Sequence, residues 1–181
     1  MVITPNTYYL PRTEHTPNNP LPVLHYKDVL PQPRTEEEAT NFLTAHKWEK
    51  RGTWGPIWQS HFHSNSHECY GVFQGSSTLL LGAAGGDGVS DVGLRITVNT
   101  GDVIVLPAGG HSSVESTDDY KYIRVYPEGC PRWRNEFGKT PIDSKAFKDE
   151  IASAGFPEED PVYGKDGPLM QLWSYSLHAK F

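Results

Sequence analysis

The feature that most constrains the fold is a series of six short, strand-like runs between Trp54 and Pro127. The stretches between these runs are rich in Gly, Asn, Ser and Asp, the residues typical of turns. Short apolar runs bounded in this way predict β-strands, and six of them at this spacing predict an antiparallel sandwich or barrel. The runs read IWQSHFH, ECYGVFQG, STLLLGA, GLRITVN, DVIVLPA and KYIRVYP.

Helices are predicted on both sides of this β-rich region. Thr35 is a good N-cap, and Glu38 follows three residues later to form a capping box, which predicts a helix over 36–48. A second apolar periodicity followed by a glycine predicts a helix at about 142–154. The tail around Leu172 is predicted to be a strand-like segment.

The first 34 residues are rich in Pro, Asn and Thr and predict an extended arm. Two stretches within it, TYYL and LPVLHY, have the character of short strands. We expect residues 1–34 to pack on the barrel or on a partner subunit. Residues 35–181 then form a single domain whose metal-binding core is 55–127, since 181 residues suit one domain better than two.

Composition excludes several functional classes. The 22 acidic residues outnumber the 16 basic ones and no Lys/Arg run occurs, so nucleic acid is not an expected partner. No run approaches the ~20 apolar residues of a membrane helix, and no basic start precedes an apolar stretch as in a secretory signal. The two cysteines cannot build a disulfide framework, and we expect a reduced, cytoplasmic location.

Three histidines and a glutamate fall within eight residues, from His61 to Glu68. His61 and His63 are two apart on a predicted strand, so their side chains share one face. Glu68 opens the next strand and is expected to face them across a hairpin. His67 precedes Glu68 and points the other way, so it is not counted as a ligand. Two imidazoles and a carboxylate that converge suit a divalent first-row metal.

These residues resemble the two motifs of the cupin superfamily. The first motif has a glycine, HxH, a glutamate and a glycine, and its spacing is met in full. The second has a glycine, PxG and a histidine, and here it is one residue shorter. The matching positions are Gly55, His61, His63, Glu68 and Gly75 in the first motif and Gly101, Pro107, Gly109 and His111 in the second.

The resemblance implies an all-β fold, the cupin double-stranded β-helix or jelly-roll barrel of the RmlC-like type, with one or two flanking helices. It implies His61, His63, Glu68 and His111 as ligands of one divalent metal, which can be Fe, Mn, Ni or Zn. Most of the chain, including the tail, is also similar to small single-domain cupins of the YjlB type. Cupins commonly dimerise through such arms or through sheet edges, so a homodimer is expected.

Two further residues are candidates for catalysis beside Glu68. Tyr70 shares the inward face of Glu68 and can hydrogen-bond a substrate or serve as core. Arg124 either faces into the barrel, where it can bind a substrate carboxylate, or faces out as a solvated charge. The outward orientation is favoured because arginine is rarely buried without a partner. Cys69 is expected to be a buried, inert thiol.

Three functions fit a site of this composition. The first is an O₂-using oxidoreductase of the dioxygenase or oxidase type that acts on a small organic molecule. The second is a metal-dependent isomerase or lyase, in which the metal polarises a carbonyl and Glu68 acts as a base. The third is a non-catalytic barrel that binds a metal or a small ligand.

Overall fold

The computed structural model describes residues 2–87, 92–142 and 144–178, and in these residues the chain forms two facing antiparallel β-sheets. The six-stranded sheet has the order β1-β2-β8-β5-β10-β3, and the four-stranded sheet has the order β4-β9-β6-β7. This architecture confirms the predicted all-β jelly-roll class. The strands are β1 (Asn6–Tyr8), β2 (Val23–Tyr26), β3 (Trp48–Trp54), β4 (His61–Phe62), β5 (Glu68–Gln74), β6 (Ser76–Leu81), β7 (Leu94–Asn99), β8 (Val103–Leu106), β9 (Gly110–Ser116) and β10 (Lys121–Pro127).

In the described residues three helices flank the sheets: α1 (Glu36–Leu43), α2 (Ser144–Ser153) and α3 (Pro168–His178). The predicted cap of α1 is confirmed, because the Thr35 hydroxyl accepts a hydrogen bond from the Glu38 amide at 3.2 Å. This helix ends earlier than predicted, since the chain turns through Lys47 at φ 62° and enters β3. The second helix has nearly its predicted bounds, with residue 143 outside the described part.

The strand predicted around Leu172 is wrong, because this segment is the helix α3. Leu169, Trp173 and Ser176 are all buried, and their spacing of four and three residues places them on one helical face. A short apolar run such as the one around Leu172 is compatible with either a strand or a helix. In the part of the chain that the structure describes, no helix combines the length and apolar character needed to cross a membrane.

Side chains of the six-stranded sheet contribute to two separate cores. The inner core lies between the sheets and takes alternate residues such as Tyr70, Val72 and Ile104. The outer core takes the intervening residues, such as Cys69, and packs them against α1 and α3. Because this sheet is covered on both faces, Val103–Leu106 reads as a continuous apolar run rather than an alternating one.

Two strands were missed in the sequence, and one predicted pairing is wrong. β9 contains small polar residues that resemble a turn, whereas β3 is a charged edge strand, where polar side chains are tolerated. Glu68 does not face His61 across a hairpin, because β4 pairs with β9 and β5 belongs to the opposite sheet. Residues 63–67 therefore cross from one sheet to the other.

The N-terminal arm lies on the barrel of its own chain. β2 pairs with β8, and β1 pairs with β2 at the edge of the six-stranded sheet. Between these two strands, the buried side chain of Asn18 donates to the carbonyl of Gly82 at 2.8 Å and accepts from the amide of Gly110 at 3.1 Å. The arm thus fixes the start of β9, next to His111. The domain boundary at residue 34 stays a prediction.

Candidate metal centre

The four predicted ligands meet between the two sheets. His61 on β4 and His111 on β9 are direct cross-strand partners in the four-stranded sheet. His63 follows β4 by one residue, and Glu68 is the first residue of β5 in the opposite sheet. Facing sheets lie about 10 Å apart, so long side chains from the two inner faces reach one another. The cluster is therefore a product of the sandwich and not of a single hairpin.

The donor atoms of this cluster are close together and buried. One ring nitrogen from each of the three histidines lies within 4.8 Å of the others. The Nε2 atoms of His63 and His111 lie 3.1 and 3.3 Å from the carboxylate oxygens of Glu68. Both Nε2 atoms are buried, yet neither makes a hydrogen bond with the described residues. Buried nitrogens without a hydrogen-bond partner are costly, and a bound cation would supply the missing partner.

The proton positions of two rings follow from their neighbours. Nδ1 of His61 lies 2.8 Å from the carbonyl of Gln59, and Nδ1 of His63 lies 2.8 Å from the carbonyl of Arg134. A carbonyl can only accept, so each Nδ1 carries a proton, and in the neutral form of either ring Nε2 keeps a lone pair. Burial also lowers the pKa of His61 to about 4 and that of His111 well below its usual value. Neutral imidazoles with a free Nε2 are what metal ligation requires.

Glu68 is held as a carboxylate by three donors. The hydroxyl of Tyr70 donates to Oε2 at 2.8 Å, and the hydroxyl of Tyr126 donates to Oε1. Nη1 of Arg124 donates to Oε1 at 3.3 Å. Burial alone would raise the pKa of Glu68, but the charge of Arg124 outweighs this effect and holds the pKa well below the usual range. Glu68 is therefore an ionised anchor of fixed orientation.

Arg124 faces into the barrel, so the favoured outward orientation is wrong. Its side chain is 2% exposed and its Nη2 donates to the hydroxyl of Tyr122 at 3.2 Å. The guanidinium also lies over the rings of Trp54 and Tyr70, at 5.1 and 5.2 Å. β10 is an interior strand with β3 and β5 on its two sides, and Glu68 supplies the countercharge that makes burial of an arginine tolerable.

The loop after β10 contributes a backbone group to the site. It runs alongside β4, where Phe62 and Glu136 exchange two backbone hydrogen bonds of 2.8 and 3.0 Å. Asn65 ties down the same loop by donating to the carbonyl of Arg132 at 3.0 Å and accepting from the amide of Arg134 at 3.1 Å. These bonds place the carbonyl of Arg134 that orients His63.

His67 and Cys69, the two neighbours of Glu68 that were not predicted to be ligands, lie outside the cluster. His67 is buried, with Nε2 2.9 Å from the carbonyl of Gly155, while Nδ1 accepts from the amide of Ala108 at 3.1 Å. Cys69 is in the outer core, and its burial raises the thiol pKa well above the usual value. Neither side chain points at the ligands.

Sequence reasoning missed Tyr126, Tyr120 and the carbonyl of Arg134. Tyr126 could have been found, because it shares a strand face with Arg124 and a buried arginine needs such neighbours. Tyr120 precedes β10 and is buried with its hydroxyl unpartnered among the described residues. Every residue has a backbone carbonyl, so the sequence could not indicate that the carbonyl of Arg134 orients His63.

Comparisons with known proteins give one similar sequence and a weak structural likeness. The chain is 29% identical over 169 residues to the uncharacterized protein YjlB of Bacillus subtilis, an alignment that spans 92% of this chain and 95% of that protein. A mutant of the Bacillus subtilis oxalate decarboxylase OxdC aligns with 65% of this chain at 17% identity and a TM-score of 0.35. The alignment spans only 28% of the decarboxylase chain. No family model matches.

Proposed function

We propose that this protein is a metal-dependent cupin enzyme that uses O₂ to oxidise a small organic anion. The observation that carries the proposal is the pair of buried, unpartnered Nε2 atoms, on His63 and His111, that face the ionised carboxylate of Glu68. Together with His61 they form a set of three nitrogens and one oxygen. This set suits Fe, Mn, Ni or Zn. A bound metal of this kind would supply Lewis acidity and, if redox-active, electrons for O₂.

The substrate is proposed to be bound from the Arg124 side. Two NH₂ groups of this guanidinium are engaged by Glu68, Tyr122 and Tyr126, but its Nε is buried and without a partner among the described residues. The hydroxyl of Tyr120 is also buried and without a hydrogen-bond partner among the described residues. Each unpaired buried donor costs about 1–3 kcal/mol, a cost that an oxygen-rich ligand removes. A carboxylate or enolate oxygen is therefore the group we expect here.

Entry is proposed to pass Trp54. This indole is 37% exposed and covers the guanidinium of Arg124 on its outer side. It also folds back over Gly52, where a Cβ would lie 2.9 Å from the indole Nε1. A side chain at residue 52 would displace the indole from Arg124. On the other side of Arg124, the tilted rings of Tyr70 and Tyr122 pack against each other with their centroids 4.4 Å apart.

Oxidation is preferred to isomerisation or lyase chemistry because Glu68 is a poor base. Its two oxygens already accept from Tyr70, Tyr126 and Arg124, and its pKa is held low. A general base works best with a pKa near the operating pH. Proton abstraction by Glu68 is thus disfavoured. Binding a metal and placing a substrate anion beside it, in contrast, requires no change in the ionisation of Glu68 or Arg124.

The test is metal content by plasma mass spectrometry on protein purified without chelator. We expect close to one Fe, Mn or Ni per chain in the wild type, a loss in His63→Ala, and no loss in His46→Ala, a control on a half-exposed histidine. Loaded protein is then screened for O₂ uptake with small carboxylates. Equal metal in wild type and His63→Ala would contradict the site. Zinc alone without O₂ uptake would favour isomerase or lyase chemistry, and metal without turnover would favour a binding barrel.

A homodimer is proposed through the β1 edge. Four exposed apolar side chains belong to the N-terminal arm and to α3: Val2, Ile3, Tyr9 and Tyr175. The arm and α3 are neighbours, since the hydroxyl of Tyr9 lies 3.4 Å from that of Ser176. An open strand edge beside apolar residues favours pairing with a second copy. Light scattering after gel filtration tests this, and a monomer at micromolar concentration would contradict it.

A further inference from the structure

A cavity lies on the outside of the barrel, away from the candidate metal centre. It encloses about 520 Å³ between the N-terminal arm and the C-terminal half of α2. Most of its surface is apolar and is provided by Leu21, Ile151 and Phe156. Its size and apolar lining are typical of small-molecule sites, which also carry a few polar groups that fix the ligand.

Besides the polar side chains of Asn19 and His67, two cations line this cavity, one from each wall. Arg12 belongs to the arm and Lys148 to α2, and both side chains are exposed. Neither makes an ion pair or a hydrogen bond with the residues that the structure describes. Two unpaired cations across an apolar cavity favour an anion, in a chain whose net charge is −6.

The end of α2 does not reverse this preference. Carbonyl groups at a helix C-terminus attract cations. Here the carbonyl of Glu150 accepts from the hydroxyl of Ser153 at 2.6 Å, and that of Ile151 accepts from the amide of Ala154 at 3.2 Å. Because the chain already supplies donors to these oxygens, the arginine and lysine dominate the charge of the cavity.

His67 closes the inner side of the cavity and separates it from the ligands. Its Nδ1 accepts from the amide of Ala108 and its Nε2 lies 2.9 Å from the carbonyl of Gly155, so both nitrogens are engaged. Its ring packs against Trp173 of the outer core, at 4.9 Å between centroids. The cavity therefore has no free metal-binding nitrogen from His67, and it opens on the opposite side of β5 from Glu68.

We propose that this cavity binds a small carboxylate with an apolar body, of the acyl or aromatic class. The apolar body lies against Leu21, Ile151 and Phe156, and the carboxylate lies between Arg12 and Lys148. The site is independent of the proposed oxidation, because it shares no residue with the metal centre. His67, which lines the cavity, connects Gly155, just after α2, to Ala108 in the segment that leads to His111.

The experiment measures displacement of anilinonaphthalene sulfonate by octanoate, octanol and octylammonium, three probes with one apolar body and different charge. We expect octanoate to displace the dye best and octylammonium worst. Lys148→Gln is expected to weaken octanoate binding about two- to fivefold, the range of a partly exposed charge pair. Lys165→Gln, an exposed lysine outside the cavity, is the matched control. Ala152→Phe fills the cavity and abolishes displacement. Naphthoate in place of octanoate separates an aromatic ligand from an acyl one.

Three outcomes would overturn the proposal. The first is the same affinity for the three octyl probes, and the second is an equal effect of Lys148→Gln and Lys165→Gln. The third is an absence of octanoate binding together with a change of oligomeric state in Ala152→Phe, which would mean that a second copy covers the cavity. Repeating the titration after chelator treatment removes any carboxylate held by a metal, and we expect octanoate binding to be unchanged.

Discussion

Replacing Arg124 by methionine separates its structural role from its relation to the metal. The change keeps an unbranched side chain in the inner core but removes the charge that faces Glu68. Glu68 is then a buried carboxylate that keeps its hydroxyl donors, Tyr70 and Tyr126, and loses its cation. We expect the metal-free variant to be strongly destabilised and the metal-loaded variant to be much less so, because a bound cation replaces the missing charge.

The size of the effect follows from the distance between the charges. Nη1 of Arg124 lies 3.3 Å from Oε1 of Glu68. At an effective dielectric constant of about 20, a pair at this distance attracts with about 5 kcal/mol. Breaking a buried pair from one side typically costs about 3–5 kcal/mol. We therefore expect the free energy of unfolding of the metal-free protein to fall by about 3–5 kcal/mol.

Urea unfolding, with chelator and with saturating metal, measures both states. Linkage requires that if metal reduces the loss of stability, then metal binds the variant more tightly than it binds the wild type. The control is Lys50→Met, which removes a surface pair with Glu36 and is expected to cost less than about 1 kcal/mol in either condition. The reasoning would be refuted if Arg124→Met lost equal stability with and without metal, or bound metal more weakly than the wild type.

Two further predictions concern buried acids outside the site. Asp160→Ala removes the acceptor of the Tyr26 hydroxyl (2.6 Å) and of the Leu169 amide (2.9 Å). We expect urea titrations to show a fall of about 3–5 kcal/mol in the free energy of unfolding. A fall of less than about 1 kcal/mol would contradict this prediction. Burial of Asp102 is outweighed by hydrogen bonds from His25 and backbone amides, so its pKa is lowered and its ionised form stabilises the fold above the unfolded pKa of about 4. The wild type should therefore exceed Asp102→Asn in free energy of unfolding by less and less as pH falls below about 4. A difference in unfolding free energy that stays constant down to about pH 2 would contradict this prediction.

The sequence predicted the members of the cluster better than it predicted their surroundings. The HxH spacing places His61 and His63 close together, but Glu68 joins them from the opposite sheet and not across a hairpin. The sheets were harder. β9 has the composition of a turn, and it becomes a strand only because β4 and β6 pair with its two edges. Such pairing depends on residues far away in the chain, which local propensity cannot register.

The orientation of Arg124 shows the same limit. Taken alone, an arginine on an alternating strand is best placed in solvent. In the structure its burial depends above all on Glu68, which becomes its neighbour only when β5 and β10 pair. Tyr122 and Tyr126, on its own strand, add further contacts. α3 was misassigned for a related reason, since a short apolar run fits a strand or a helix equally until the outer core selects one face of it.

The position of the four ligands on opposite sheets makes the barrel filling a determinant of the site. His61 and His111 move with one sheet and Glu68 moves with the other. Inner-core side chains such as Leu79 and Ile104 fill the space between the two sheets. In the proposed metal centre, trimming or enlarging these side chains is expected to move one sheet relative to the other and so to change the size of ion that fits. Ion preference could then evolve through aliphatic substitutions while all four proposed ligands stay the same.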